Sequence, residues 1–379
     1  MPDDRIQHVT MPKWGLAMTE GKLTAWIVSE GDQVATGDDL VDVETEKISG
    51  TVESSYDGVL RRIVAQPGED VPVGGTIALV APAEVPDAEL DAVAAEARRQ
   101  IDAGEVAEVP GPVLGRTAAG ISYATAGPAG APADEPVVLV HGYGGDANSW
   151  LFVQEPLAER RVVHAVDLPG HGASVKDVGT GSLDELVVAL LGVLDATGTK
   201  RAHLVGHSLG GAVVSMVAAT LPERVASLTL VAPAGFGAEA DVEYLTGFAS
   251  AASRRELKPL LGRLFADESQ VSRSLVDDLV RYKRLDGVEQ SLRLLLGTMV
   301  VDGRQGLDIA PRLRDVPVPR VVVWGAQDRI FPAAHATAVP GALAVHIEEG
   351  AGHMVHMERP AVVVAAVEEA VAEAVAASS

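Results

Sequence analysis

The segment LVGHSLGGAV, residues 204–213, decides the fold of the larger part of this chain. It contains the pattern Gly-x-Ser-x-Gly, with the serine at position 208. The apolar run AHLVG before this serine predicts a strand, and LGGAVVSMVAATL after it predicts a helix. A serine on a tight strand-to-helix turn is exposed at the end of a parallel sheet, and the glycines leave room for it. We therefore predict that Ser208 is a nucleophile.

Two later segments supply the groups that a serine nucleophile needs. Because a serine hydroxyl reacts poorly near neutral pH, it requires a base, and the base requires an orienting acid. Asp328 comes soon after the apolar run VVVWG, and His353 lies in a glycine-rich loop after the next strand. Both loops leave the sheet edge that carries Ser208, so we predict a triad of Ser208, Asp328 and His353. His356 is a second, less favoured candidate for the base.

An oxyanion hole is predicted upstream of the serine. The stretch VVLVHGYGGDANSW again has the pattern of a strand followed by a glycine-rich loop. The backbone N–H of Tyr143 in this loop and that of Leu209 after the serine can both donate to one oxygen. Such donors stabilise the negative charge of a tetrahedral intermediate. We predict no metal site.

These motifs, together with VDLPGHGAS at residues 166–174, closely resemble those of the α/β-hydrolase family. The resemblance runs from about Ile121 to Ala377, and for a domain at residues 121–379 it implies a mostly parallel sheet between layers of helices. Segment 234–316 interrupts the sheet pattern with mostly helical sequence. We expect this segment to form a helical cap that controls the access of substrate to Ser208.

Residues 1–82 contain an internal repeat. Segments 21–43 and 58–80 align without a gap at a constant offset of 37 residues, and their apolar and glycine positions coincide. Leu23 corresponds to Leu60, for example, and Gly31 corresponds to Gly68. Two copies are too few for a solenoid, but each can supply half of a common core. We predict an all-β flattened sandwich with two-fold pseudosymmetry.

Lys47 lies in the crossover between the two copies, within the motif VETEKI. This motif and MPKWGLAMTEGKLTAWIVSEGD resemble the lipoyl domains of 2-oxo acid dehydrogenase complexes. The resemblance implies that a lipoate ligase attaches lipoate to Lys47 through an amide bond. Biotinyl domains share the fold but usually carry methionines beside the lysine, where this chain has Glu46 and Ile48. Residues 83–120 are rich in Ala and Pro and predict a linker that contains one short helix, at about residues 87–101.

Composition narrows the remaining possibilities. The formal net charge of −23 argues against a nucleic-acid partner, because phosphate backbones bind basic surfaces. The absence of cysteine is typical of a reducing compartment. Neither a signal peptide nor an apolar stretch of about 20 residues stands out, so we expect a cytoplasmic protein without a membrane partner.

As a whole, the chain resembles the dihydrolipoyllysine-residue acetyltransferase components of acetoin dehydrogenase complexes. The resemblance implies that an acetyl group passes from the lipoyl arm of Lys47 to coenzyme A. It also implies two partners, a thiamine-diphosphate acetoin dehydrogenase component and a dihydrolipoamide dehydrogenase, and we expect a homo-oligomer.

Two features depart from the usual acyltransferase components of such complexes. Thr298 and Tyr282 stand where the motif His-x-x-x-Asp-Gly would need its histidine. The linker contains no clear subunit-binding domain either, so the sequence leaves open how the partners dock.

Three interpretations of the second part stay open. As an acyltransferase it can form an acyl-serine, or His353 can deprotonate coenzyme A for direct attack. As an esterase or thioesterase fused to a lipoyl carrier, it would pass the acyl group to water. As a non-catalytic scaffold, it would tolerate replacement of Ser208. A dependence of turnover on coenzyme A separates the first two, although the sequence contains no recognisable phosphate-binding loop.

Overall fold

A computed structural model describes residues 5–12, 18–45, 49–106, 111–128 and 135–378. The chain divides into two units, Met1–Gly111 and Pro112–Ser379. None of the helices in these described ranges is both long and apolar enough to span a membrane.

In its described residues, the first unit contains eight strands and one helix. The strands are β1 (Gln7–Thr10), β2 (Glu20–Trp26), β3 (Gln33–Val34), β4 (Asp39–Glu44), β5 (Ser49–Glu53), β6 (Gly58–Ile63), β7 (Asp70–Pro72) and β8 (Thr76–Ala81), and the helix is α1 (Asp87–Ala103). The strands form two four-stranded sheets, one in the order β1-β8-β6-β3 and the other in the order β5-β4-β2-β7. The predicted all-β sandwich is therefore confirmed.

The 37-residue repeat corresponds to two intertwined halves of this sandwich. Strands β2, β3 and β4 of the first copy match β6, β7 and β8 of the second, and β3 pairs with β6 while β7 pairs with β2. The matched side chains Leu23 and Leu60 are both fully buried. The matched glycines Gly31 and Gly68 both have a strongly positive φ, of 97° and 92°, which favours glycine at these turns. Each copy thus contributes strands to both sheets.

Helix α1 packs against strands β6 and β8 of the first unit. Its apolar side chains Leu90 and Ile101 are buried, and two arginines of β6 hold its first turns. Arg61 donates to Asp87 at 2.9 Å and Arg62 donates to Asp91 at 2.7 Å. The helix that the sequence placed within a linker therefore belongs to the first unit, whereas the domain boundaries at residues 82 and 120 stay predictions.

The second unit contains one eight-stranded sheet and a small hairpin. Its strands are β9 (Val113–Arg116), β10 (Ser122–Ala126), β11 (Val137–Val140), β12 (Val163–Val166), β13 (Ala202–His207), β14 (Val225–Val231), β15 (Val300–Val301), β16 (Arg304–Gln305), β17 (Arg320–Gly325) and β18 (Ala344–Glu348). The large sheet has the order β18-β17-β14-β13-β11-β12-β10-β9, and β15 pairs with β16. Its six strands from β18 to β12 are parallel, and β10 and β9 join antiparallel. This is the predicted α/β architecture.

Ten α-helices accompany this sheet in the described part of the second unit. They are α2 (Leu151–Ala158), α3 (Leu183–Ala196), α4 (Leu209–Thr220), α5 (Val242–Ser250), α6 (Arg254–Gly262), α7 (Arg273–Lys283), α8 (Val288–Met299), α9 (Ala310–Leu313), α10 (Val355–Glu358) and α11 (Pro360–Ser378). Helices α3 and α4 bury one face of the sheet, and α2 and α11 bury the other. Helices α5 to α8 lie between β14 and β17 in the chain and pack on one another. They form the predicted helical cap.

Candidate active site

Ser208 occupies a strained turn between β13 and α4. Its backbone has φ 52° and ψ −118°, a conformation that costs free energy for a residue with a side chain. The turn is held in place because the Ser208 N–H donates to the Val231 carbonyl at 3.0 Å. A Cβ atom at Gly206 or Gly210 would collide with backbone carbonyl oxygens, so the turn requires glycine at both positions. The turn presents the hydroxyl at the carboxyl end of the central strand.

Asp328 and His353 are joined by a direct hydrogen bond. The Asp328 Oδ2 atom and the His353 Nδ1 atom are 2.8 Å apart, and both side chains are almost completely excluded from solvent. Asp328 Oδ1 accepts from the N–H groups of Ile330 and Phe331, at 2.7 and 3.0 Å, and Oδ2 also accepts from the Trp324 indole at 3.0 Å. Because a carboxylate only accepts hydrogen bonds, His353 donates through Nδ1 to Asp328. The Nε2 atom of His353 then remains to act as a base.

The loop that carries His353 contacts the residue next to the serine. The His207 Nε2 atom donates to the His353 carbonyl at 3.0 Å, and the two imidazole rings lie 4.7 Å apart. The His353 N–H donates to the Leu264 carbonyl of the cap at 2.7 Å. The neighbouring N–H of Gly352 donates to Glu358 at 2.8 Å. Through His207, these contacts bring the Asp328–His353 pair next to the serine turn.

Glu358 was not singled out by the sequence, although it holds two loops together. One carboxylate oxygen accepts from the Gly352 N–H and the other from the Ala266 N–H, both at 2.8 Å. Burial raises the pKa of this carboxyl group. In the sequence, Glu358 is only an acidic residue two positions after His356. Acidic residues in such positions are too common to indicate a role.

The loop after β11 lies directly against the serine. A Cβ atom on Gly142 would come within 2.9 Å of the Ser208 Cβ atom, so only glycine allows this approach. The next backbone N–H belongs to Tyr143. Within the described ranges, the N–H groups of Tyr143 and Leu209 donate to no other group. Leu209 is the first residue of α4, whose N–H has no partner inside the helix. Both predicted oxyanion donors are therefore available beside Ser208.

Two buried histidines brace this loop. His171 Nε2 accepts from the Gly144 N–H at 3.0 Å, and its Nδ1 donates to the Pro169 carbonyl at 2.9 Å. His141 accepts from the Leu168 N–H at 3.0 Å and donates to the Gly142 carbonyl at 2.7 Å. Burial lowers the pKa of both rings, in the case of His171 to about 3. Both are therefore neutral hydrogen-bonding partners at neutral pH.

His356, the second candidate for the base, has a different environment. Its ring is packed between those of Trp150 and His207, with centroid distances of 4.5 and 4.4 Å. Neither ring nitrogen has a hydrogen-bond partner in the described part of the chain. Burial lowers its pKa to about 3. The carboxylate of Asp328 contacts His353 and not His356.

The cap closes over the oxyanion loop through contacts that the sequence did not reveal. The Tyr143 hydroxyl donates to the Leu292 carbonyl of α8 at 2.8 Å. The rings of Tyr143 and Phe248 meet edge to face at 5.8 Å, and Gly144 leaves room for the Phe248 ring. Lys283 donates to the carbonyl groups of Phe248 and Ala249 at the end of α5. Apolar cap residues therefore cover the loop that carries the predicted oxyanion donor Tyr143.

Lys47 lies outside the described residues, between β4 and β5. These two strands are antiparallel, and Glu44 pairs with Ser49 at the end nearest to Lys47. The pairing continues along both strands as far as Asp39 and Glu53. The predicted attachment residue thus belongs to the segment that joins two paired strands of one sheet.

Comparison with known proteins supports both parts of the prediction. Residues 135–360 match the α/β-hydrolase fold family, and residues 7–80 match the biotin/lipoyl family, described as biotin-requiring enzymes. The chain is 45% identical over 355 residues to the dihydrolipoyllysine-residue acetyltransferase component of the acetoin cleaving system of Pseudomonas putida, covering 93% of this chain and 95% of the relative. The corresponding component from Cupriavidus necator is 44% identical, and the alignment covers 93% of this chain and 94% of the relative.

The chain belongs to the family of dihydrolipoyllysine-residue acetyltransferase components of acetoin-cleaving systems. Members of this acetyltransferase family match both units of the chain, so the combination of a lipoyl domain with an α/β-hydrolase fold is shared. A solved structure of 2-hydroxy-6-oxo-6-phenylhexa-2,4-dienoate hydrolase from Rhodococcus sp. strain RHA1 is 24% identical, with a TM-score of 0.60 over 68% of this chain and 98% of that protein. The similarity to this hydrolase structure concerns the fold of the second unit alone.

Proposed function

We propose that this acetyltransferase moves an acetyl group from a lipoyl arm on Lys47 to coenzyme A, with Ser208 as nucleophile, Asp328 and His353 as its acid–base pair, and Tyr143 and Leu209 as oxyanion donors. The observation that carries the proposal is the 2.8 Å hydrogen bond between His353 and Asp328, next to a serine on a strained turn. A protein that used this unit only as a scaffold would have no need for either feature.

The first unit suits a covalently attached lipoyl group. Its two sheets keep the matched side chains Leu23 and Leu60 fully buried, and the paired strands β4 and β5 hold both ends of the segment that contains Lys47. A lysine in that position can carry lipoate in amide linkage, and bound lipoate supplies the sulfur that holds the acetyl group as a thioester. A lipoate ligase would make this linkage.

The triad can carry out the transfer in two proton-coupled halves. Ser208 Oγ attacks the acetyl carbonyl carbon while His353 Nε2 takes its proton, and Asp328 stabilises the resulting imidazolium. The N–H groups of Tyr143 and Leu209 hold the oxyanion. His353 gives the proton to the departing sulfur, which leaves an acetyl ester on Ser208. His353 then takes the thiol proton of coenzyme A, the thiolate attacks the ester, and Ser208 recovers its proton.

Two other routes use the same residues. His353 could deprotonate coenzyme A for direct attack on the acetyl thioester, without an ester on Ser208. Water could also take the place of coenzyme A, as in the hydrolases that share this fold. The buried cap contacts of Tyr143 and Phe248 favour transfer over hydrolysis, because a dry site protects an acyl ester from water.

The reaction also determines which partners we propose. An upstream thiamine-diphosphate enzyme that cleaves acetoin would load the acetyl group, and a dihydrolipoamide dehydrogenase would reoxidise the arm. We also propose a homo-oligomer, because a tethered arm can then serve several active sites of one assembly. We propose the cytoplasm as its location.

The test supplies free acetyl-dihydrolipoamide and coenzyme A, and follows acetyl-CoA and acetate in the same samples. We expect acetyl-CoA from the native protein and a loss of at least about 10³-fold in the Ser208→Ala variant. Acetate formed at an equal rate without coenzyme A would show that the unit is a hydrolase. Full activity of Ser208→Ala would leave direct attack by coenzyme A, and a native protein that forms neither product would leave a scaffold role.

A further inference from the structure

Helix α6 of the cap borders an open cavity with a basic lining. The cavity has a volume of about 540 Å³ and is lined by Arg254, Arg255, Lys258, Pro259, Gly262 and Glu268. The cap segment 234–316 holds 12 of the 30 Lys and Arg residues of the chain, but only 13 of its 53 Asp and Glu residues. The cap is therefore nearly neutral in a chain whose net charge is −23, and α6 carries three cations and one acidic residue.

Two of these cations have no ion-pair partner in the described ranges, although the Glu256 carboxylate lies close enough to Arg255 to interact with its charge. Arg255 and Lys258 are exposed, and in the ranges that the structure describes their side chains form neither an ion pair nor a hydrogen bond. Arg254 is different, because it donates to Asp277 at 2.6 Å. The one acidic residue of the lining, Glu268, accepts from Arg329 at 2.9 Å, so its charge is already balanced. The lining of the cavity thus carries a net positive charge.

The cavity is connected to the catalytic histidine by a short stretch of chain. Lys258 lies four residues before Gly262, about 6 Å along the helix. Two further residues, spanning at most about 7 Å, lead to Leu264, whose carbonyl accepts from the His353 N–H at 2.7 Å. The backbone at Lys258 is therefore within roughly 16 Å of the His353 backbone.

We propose that this cavity binds the phosphate groups of coenzyme A while its thiol reaches Ser208 and His353. The inference rests on the proposed transfer to coenzyme A and names the site where that co-substrate is recognised. Coenzyme A carries a pyrophosphate and a 3′-phosphate, and guanidinium and ammonium groups bind such oxygens through charge-assisted hydrogen bonds. Its pantetheine arm has the length of about four extended residues, roughly 14 Å, which is comparable with this upper limit on the backbone distance between Lys258 and His353. Elsewhere the acidic surface repels the ligand.

The test compares coenzyme A with pantetheine, which has the same thiol but no phosphate. The variant is Arg255→Ala/Lys258→Ala, and the control is Arg284→Ala/Arg312→Ala, which removes two exposed cap cations away from the cavity. With free acetyl-dihydrolipoamide as donor, we expect kcat/KM for coenzyme A to fall about tenfold in the variant, and less at high salt. The value for pantetheine should stay unchanged, and the control should behave like the native protein.

A direct binding measurement with 3′,5′-ADP keeps this inference separate from the proposed function. If the native protein acetylates neither thiol, the transfer reaction is wrong, and binding of 3′,5′-ADP that is lost in the variant still supports the site. Absence of such binding, or an equal loss with coenzyme A and pantetheine, overturns the inference. The inference is also overturned if the variant slows transfer from the protein-bound arm but not from free acetyl-dihydrolipoamide. The basic side chains would then bind the acidic first unit and not coenzyme A.

Discussion

Asp328 accepts four hydrogen bonds in a space that solvent does not reach. An asparagine at position 328 keeps the shape of the side chain. Its NH₂ group, however, must face another hydrogen-bond donor, either the Trp324 indole or a backbone N–H. We expect Asp328→Asn to lower kcat for acetyl-CoA formation about 10³- to 10⁴-fold, because His353 loses its orienting charge. Steady-state kinetics check this result, with thermal unfolding to confirm that the variant is folded. A loss below tenfold would mean that Asp328 does not orient the base.

The backbone of Ser208 makes a prediction about stability rather than rate. Its φ of 52° is unfavourable for serine and acceptable for glycine. We expect Ser208→Gly to raise the free energy of unfolding by about 1 kcal/mol, whereas Ser208→Ala keeps the strained geometry and gives no such gain. Urea unfolding of both inactive variants compares the two directly. Equal stabilities would show that the turn stores no strain.

His356 tests the assignment of the base and the pH dependence together. Burial holds its pKa at about 3, while the unfolded chain binds a proton near pH 6.5. Below pH 6.5 the unfolded state therefore carries more protons than the folded state. As the pH decreases, this one residue lowers the free energy of unfolding by up to about 1.4 kcal/mol per pH unit. We expect His356→Phe to retain kcat and to lose less stability than the native protein between pH 7 and pH 5.5. A large loss of kcat would instead make His356 the base.

At the scale of elements, the hydroxyl group of Tyr143 and the packing of its ring on Phe248 both attach the cap to the loop after β11. The Tyr143 hydroxyl donates a hydrogen bond to the Leu292 carbonyl of α8. The backbone N–H of Tyr143 takes no part in that hydrogen bond. We expect Tyr143→Phe to loosen α8, to cost about 1 kcal/mol of stability, and to raise the ratio of acetate to acetyl-CoA several-fold as water enters. Tyr244→Phe is the matched control, a buried cap tyrosine whose hydroxyl forms no hydrogen bond with the described part of the chain. An unchanged product ratio in Tyr143→Phe would show that the cap does not exclude water.

The sequence could predict those elements whose residues are locally diagnostic. Glycine spacing around Ser208 and the 37-residue repeat follow from backbone sterics and from the alternation of buried side chains, which are local properties. The contacts of Glu358 and Lys283 join segments far apart in the chain, and no short pattern marks them. The docking of α1 was missed for the same reason, since its salt bridges to Arg61 and Arg62 depend on tertiary packing.

For the whole molecule, the arm and the active site belong to one chain. We expect Lys47→Arg to abolish the mass increase that lipoate ligase produces, and to leave turnover of free acetyl-dihydrolipoamide unchanged. Mass spectrometry of the intact protein and steady-state kinetics measure the two effects. A lipoyl mass addition that persists in Lys47→Arg would place the attachment at another lysine.

A single-turnover experiment tests the central claim, which is serine-dependent transfer from the chain's own arm. The lipoylated, acetylated protein is mixed with coenzyme A, quenched at intervals, and analysed for protein-bound acetyl, acetyl-CoA and acetate. We predict that the native protein converts its acetyl group to acetyl-CoA, and that Ser208→Ala keeps it on the arm. Release of acetate that does not depend on coenzyme A, or equal acetyl-CoA formation by Ser208→Ala, would contradict the account.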